Sequence, residues 1–124
     1  MALAEDCVLI VDDDIALCDA LCEFVEGLGV TCIAEHDGSA GLDALTRLEP
    51  RVAIIDIQMP AMNGFSLMTL AQERYPDLRL VLMSGAEPAV LKGVPGFNER
   101  YLILEKPLPL PSLAAFLKRS LGRG

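Results

Sequence analysis

The stretch CVLIVDDD at residues 7–14 sets an unbroken apolar, β-branched run directly against three acids. A run without polar alternation is typical of a strand that is buried on both faces of a parallel sheet. The residues that follow carry apolar side chains at helical spacing, and Gly29 is the expected C-cap of that helix: Leu17, Leu21, Phe24 and Leu28. This part of the chain therefore predicts a strand and a helix, with acids at the carboxyl end of the strand.

The same alternation continues along the chain. Four more short apolar runs predict strands at residues 30–34, 52–55, 80–83 and 102–104. Helical spacing predicts further helices over residues 39–48, with Ser39 as N-cap, 65–75 and 110–121. Alternating strands and helices in 124 residues predict one α/β domain, residues 1–124, with a flavodoxin-like, doubly wound, five-stranded parallel sheet in the order 2-1-3-4-5.

The segment between Ser84 and Leu102 is the exception to this regular pattern. It contains Pro88, Gly93, Pro95 and Gly96, which do not suit a helix interior. We expect the fourth helix to be short, over residues 88–92, and to be followed by an irregular loop.

Composition and charge exclude several classes of function. Eighteen acids against ten bases leave a net charge of −8, which disfavours nucleic acids and anionic membranes as partners. Residues 1–14 lack the basic region of a signal peptide, and no apolar stretch reaches the roughly 20 residues of a membrane span. We therefore expect a cytoplasmic chain whose four cysteines are reduced thiols.

Polar residues collect where the predicted strands end. Asp12 and Asp13 follow the first strand, Asp56 ends the third, Ser84 follows the fourth, and Lys106 lies just after the fifth. Because the carboxyl ends of parallel strands share one edge of the sheet, these residues are expected to meet in one cleft. Each residue alone has an ordinary structural explanation, such as a turn or a helix cap, so the convergence is what indicates a site.

Three carboxylates and one ammonium leave an uncompensated negative charge, which a divalent cation would balance. The ligands are hard oxygens without a nearby thiolate or imidazole, which favours Mg²⁺ over zinc. Carboxylates form acyl phosphates, and Mg²⁺ with a lysine stabilises a phosphoryl group in transit. The residue types therefore predict a phosphoryl-transfer site.

Four motifs resemble the receiver domain of bacterial two-component response regulators: LIVDDD at 9–14, DIQMPAMNG at 56–64, LMSGA at 82–86 and EKP at 105–107. The resemblance implies that Asp56 is the phospho-acceptor and that Asp13 is a direct Mg²⁺ ligand. It further implies that Asp12 is the partner acid and that the backbone carbonyl of Gln58 is the remaining protein ligand.

The same resemblance implies that Ser84 and Lys106 contact the phosphoryl group and that the bond from Lys106 to Pro107 is cis. The implied partner is a histidine kinase or a histidine phosphotransfer domain, and the implied role is that of a phosphorylated switch or relay rather than of a turnover enzyme. A monomer is favoured. Ile103 stands where the family often has an aromatic residue, and the irregular fourth helix lies in the face that the family commonly uses for output, so the output is expected to differ from the usual one. The text VPGFNERYLILEKP at 94–107 is similar to receivers at the ends of hybrid histidine kinases.

The sequence is also compatible with two other functions. One is a Mg²⁺-dependent phosphatase with an aspartyl nucleophile, for which Asp12 and Asp14 supply part of the required pattern. The other is a protein-binding module that has the same fold and is not phosphorylated.

Overall fold

The structure, a computed structural model, describes residues 7–58, 64–85 and 101–122. It contains five strands: β1 (Cys7–Val11), β2 (Thr31–Glu35), β3 (Val52–Asp56), β4 (Arg79–Ser84) and β5 (Tyr101–Glu105). The helices within the described residues are α1 (Ile15–Glu26), α2 (Gly38–Leu48), α3 (Gly64–Arg74) and α4 (Leu110–Ser120).

All strand pairs are parallel, and the sheet order is β2-β1-β3-β4-β5, as predicted. The central strands β1 and β3 are buried along their whole length, because helices cover both faces of the sheet. Side chains of alternate strand residues pack with α2 and α3 on one face, and those between them pack with α1 and α4 on the other. The continuous apolar runs in the sequence thus reflect two separate cores on either side of one sheet.

Most predicted elements agree with the structure to within one residue at each end, but two predicted helix caps are wrong. The N-cap of α2 is Asp37 rather than Ser39, because the Asp37 carboxylate accepts the Ala40 N–H at 2.7 Å, so that the helix starts before Ser39. Gly29 is not the C-cap of α1: the α-helix ends at Glu26 with Gly27 as its C-cap. Two hydrogen bonds between residues three apart then continue the chain to Gly29, where φ is 85°. Glycine is still needed there, because the turn reverses the chain in the left-handed region.

The predicted short helix at 88–92 and the irregular loop after it lie outside the described residues. The four cysteines, all within the described residues, form no disulfide in the structure. Within the three described ranges, no helix combines the length and the hydropathy that a bilayer span requires.

Helix α2 approaches β1 closely at a glycine. A Cβ added at Gly41 would lie 2.9 Å from both Cγ atoms of Val11, which is itself fully buried.

We expect Gly41→Ala to lower the free energy of unfolding by about 1–3 kcal/mol, although alanine favours helix formation. Urea denaturation of Gly41→Ala, Val11→Ala and the double variant checks this. The double variant should lose less free energy of unfolding than the two single variants lose together. Additive losses would contradict the steric overlap between a Cβ at position 41 and the side chain of Val11.

Candidate functional site

Within the described ranges, three polar or charged residues are buried, and all lie at the carboxyl edge of the sheet. Asp12 is 0% exposed, Asp56 is 3% exposed and Ser84 is 0% exposed. Burial of polar groups is costly unless they have partners, so a cluster of them at one edge indicates a site rather than a core. Three of the sequence-predicted residues are therefore brought together.

Backbone hydrogen bonds that run on beyond the strands hold these residues in place. The N–H of Asp12 donates to the Glu35 carbonyl oxygen at 3.1 Å, one residue after β1 ends. The N–H of Lys106 donates to the Ser84 carbonyl oxygen at 2.8 Å, one residue after β5 ends. The peptide bond between Lys106 and Pro107 is cis, as the resemblance implies. The side chains therefore sit on a rigid edge of the sheet and not on free loops.

Lys106 lies between the two buried carboxylates. Its Nζ is 2.9 Å from Asp12 Oδ2 and 3.3 Å from Asp56 Oδ2, and its side chain is 26% exposed. The other oxygen of each carboxylate accepts a backbone N–H: Asp12 Oδ1 from Asp14 at 2.9 Å, and Asp56 Oδ1 from Gln58 at 2.9 Å. Both buried acids therefore have partners on both oxygens.

The pKa of Asp56 is raised from its ordinary value of 3.8. Burial raises it most, the Gln58 N–H lowers it, the nearby Asp12 charge raises it, and Lys106 lowers it. For Lys106, burial acts to lower the pKa, but hydrogen bonding and the charges of Asp12 and Asp56 outweigh it, so the pKa is raised. The contacts of Lys106 therefore favour its charged form, whereas burial disfavours the charged form of Asp56.

Asp13 lies at the exposed side of the same cluster. Ligand oxygens of Asp12, Asp13 and Asp56 all lie within 4.8 Å of one another, so that one cation could contact all three. Carboxylates are the ligands that Mg²⁺ prefers, and two of the three are already fixed by other bonds. The next residue, Asp14, has a structural role: its carboxylate accepts the Leu17 N–H at 3.1 Å as the N-cap of α1.

Gln58 makes a bridge that its sequence motif does not reveal. Its side-chain Oε1 accepts the Gly85 N–H at 3.0 Å, so it joins the residues after β3 to those after β4. The backbone N–H of Gln58 also donates to Asp56 Oδ1, so Gln58 orients Asp56 relative to the end of β4. The role of its backbone carbonyl as a metal ligand stays a prediction.

The sequence also did not predict two contacts to the backbone carbonyl oxygen of Asp12. Its carbonyl oxygen accepts from the Cys18 thiol at 3.3 Å and lies 3.2 Å from His36 Nδ1. No local pattern predicts these contacts, because Cys18 and His36 reach Asp12 only once α1 and β2 have packed on β1.

Residues 8–117 match the profile of the response regulator receiver domain. The chain belongs to this family. The receiver domain is 31% identical over 114 residues to the DNA-binding transcriptional regulator NtrC of Klebsiella pneumoniae, a match that covers 91% of this chain and 24% of that protein. This chain therefore spans about a quarter of the length of that relative.

Two further comparisons agree with the family. The solution structure of the receiver domain of nitrogen regulatory protein C in its apo form matches with a TM-score of 0.80 and 29% identity, covering 96% of each chain. The sensor kinase CckA of Brucella abortus is 28% identical over 122 residues, which is 94% of this chain and 12% of that protein. Receiver domains like this one thus occur in both regulators and sensor kinases.

Asp56→Asn should stabilise the receiver domain in the absence of divalent cations. It removes a buried charge, and we expect the free energy of unfolding at pH 7 to rise by about 1 kcal/mol. The pKa of Asp56 in the folded protein lies above its ordinary value of 3.8. The wild type therefore loses stability from this group as the pH rises from 3.8 through the pKa of the folded state. The difference between the two proteins should therefore shrink on acidification, as measured by denaturation in EDTA. A constant difference from pH 7 down to pH 3 would contradict this account.

Gln58→Ala should remove the hydrogen bond that the Gly85 N–H donates to Gln58 Oε1. We expect the Gly85 amide to exchange about fivefold faster, since one net hydrogen bond contributes about 1 kcal/mol. Hydrogen–deuterium exchange by NMR measures it. The Asp14 amide, which donates to Asp12, is the internal control and should be unchanged. Equal rates at Gly85 in both proteins would contradict the bridge.

Proposed function

We propose that this receiver domain accepts a phosphoryl group on Asp56 from a phosphohistidine and thereby switches or relays a signal. The observation that carries the proposal is the position of Lys106 Nζ, 3.3 Å from Asp56 Oδ2 and also paired with Asp12. A cation beside the acceptor oxygen stabilises the charge that gathers on the phosphoryl oxygens.

In the proposed step, Asp56 Oδ2 attacks phosphorus, an O–P bond forms and the N–P bond of the donor histidine breaks. The imidazole leaves with the electron pair of that bond and takes up a proton. Gln58 holds Asp56 Oδ1 through its backbone N–H, so Oδ2 is presented to the donor. Ser84, which is buried at the neighbouring strand end, supplies a hydroxyl for the phosphoryl oxygens, and Lys106 supplies the positive charge. These two residues and Asp56 form the reacting set.

We further propose that Mg²⁺ is the cofactor. Asp12, Asp13, Asp56 and the Gln58 carbonyl would hold it, and their hard oxygens suit this ion. When bound, the ion would neutralise charge on the carboxylates and on the phosphoryl group. Water in the bulk reaches this side of the pocket at Asp13, which is exposed, whereas Asp12 and Asp56 are buried.

The proposed partner is a histidine kinase or a histidine phosphotransfer domain, and the proposed setting is the cytoplasm. The net charge of −8 disfavours direct contact with nucleic acid, even though the NtrC relative is by name DNA-binding. We propose a monomer and no continuous turnover of substrate. We also propose an output of the kind found in hybrid kinases, without an aromatic switch residue at position 103, where Ile103 packs partly buried against the core on the α2 and α3 face.

Incubation with Mg²⁺ and acetyl phosphate tests the phospho-acceptor. We expect a mass increase of about 80 Da, the mass of one added phosphoryl group, in the wild type and none in Asp56→Asn. Continuous phosphate release from a phosphate ester, with no adduct, would favour the phosphatase instead. Neither adduct nor turnover would favour the binding module. Asp13→Asn should raise the Mg²⁺ concentration needed for half-maximal labelling.

Lys106→Met should slow the labelling of Asp56 by about 10²-fold, because a pre-placed charge is lost beside the reacting oxygens. Lys118→Met is the matched control: Lys118 is exposed in the last turn of α4 and belongs to none of the site contacts, so labelling should keep the wild-type rate. Circular dichroism establishes that both variants are folded. A Lys106→Met rate within twofold of wild type would refute the role given to this lysine.

A further inference from the structure

A cleft of about 850 Å³ opens at the amino-terminal edge of the sheet, opposite the edge that carries Asp56. Four arginines line it, which together we name the arginine cleft: Arg51, Arg74, Arg79 and Arg119. Arg51 comes just before β3 and Arg79 begins β4, whereas Arg74 ends α3 and Arg119 lies in the last turn of α4. A five-residue strand at about 3.3 Å per residue separates the two edges by roughly 16 Å, so this cleft is distinct from the phospho-acceptor site.

The arginine cleft concentrates positive charge in an acidic protein. The chain has ten basic residues and a net charge of −8, yet four of those ten line this one cleft. Glu49 and Asp77 are the acids in its lining, so two positive charges are in excess there. In the part of the chain that the structure describes, none of the four arginines makes an ion pair within 4.0 Å, whereas Arg47 contacts Asp43 at 3.6 Å.

Helix dipoles explain only two of these arginines. Arg74 and Arg119 stand at helix C-termini, where cations are favoured. Arg51 and Arg79 stand at strand starts, where no such preference acts. Their backbones are fixed by the sheet, since the Arg51 N–H donates to Cys7 O at 3.0 Å and the Arg79 N–H donates to Arg51 O at 3.1 Å. The backbone positions of these two arginines are thus fixed on neighbouring strand ends.

The cleft has a size that suits a small molecule, and part of its lining is apolar. Tyr75, which is half-buried, and Pro76, which is exposed, supply apolar surface there, and Ser120 adds a hydroxyl group. The volume falls in the range of known ligand pockets, which are mostly apolar with a few charged groups. Guanidinium groups bind phosphate in a bidentate manner. We propose that the arginine cleft binds a small organic anion carrying two or more phosphate charges, with its apolar body against Tyr75 and Pro76.

Titration of the ¹⁵N-labelled protein followed by NMR, in EDTA so that no metal links a phosphate to the acidic site, tests this. The probes are ADP, inorganic pyrophosphate and adenosine. We expect ADP to shift the amides of Arg51, Leu78 and Arg79, pyrophosphate to shift them with weaker affinity, and adenosine to leave them unchanged. Failure here leaves the phosphoryl-acceptor proposal untouched, because that proposal is tested by the mass increase on Asp56.

The double variant Arg51→Gln/Arg79→Gln should weaken ADP binding at least tenfold, and Arg47→Gln should not. Should the double variant fail to fold, Arg119→Gln replaces it, since this side chain is exposed at the end of α4. The proposal is overturned if ADP at millimolar concentration leaves the three amides unshifted, or if the shifts survive the arginine substitutions. Pyrophosphate binding as tight as that of ADP would also overturn it, because the apolar lining would then contribute nothing.

Discussion

A single ammonium group between two buried carboxylates is the contact on which the active edge depends. Without Lys106, Asp12 and Asp56 would face one another as like charges in a poorly solvated pocket, which is strongly unfavourable. Lys106 is separated from Asp12 by 94 residues and from Asp56 by 50, so the contact forms only when β5, β3 and β1 share one sheet. The assembly of the sheet and the assembly of the site are therefore the same event.

Charge is distributed unevenly over this fold. Among the residues that the structure describes, Asp12, Asp13, Asp56 and Lys106 lie at the carboxyl edge of the sheet, while arginines gather at the amino edge. The parallel topology imposes this division, because every strand starts at one edge and ends at the other. Helices run antiparallel to the strands, so their negative C-terminal ends also lie at the amino edge and favour cations there. One topology thus separates two chemically different surfaces on a small domain.

The fold and most of the site could be predicted because their signals are local in the sequence. Continuous apolar runs require a sheet covered on both faces, and a polar residue directly after such a run must lie at its carboxyl edge. Asp12, Asp56, Ser84 and Lys106 were placed correctly on this ground alone. The caps were harder: Asp37 and Ser39 are both good N-cap residues, and backbone geometry chose the first. The bridge from Gln58 to Gly85 joins two loops across the sheet and has no local signature.

The order of residues in this chain already contained the alternation of strands and helices, the excess of acids and the polar residues at the strand ends. These follow from periodicity and composition, which act over a few neighbouring residues. Folding in three dimensions settled which carboxylate oxygen faces Lys106, how far the pKa of Asp56 responds to burial, and that arginines from two strands and two helices line one cleft. Such properties depend on distances and desolvation between segments far apart in the chain, and those exist only after packing.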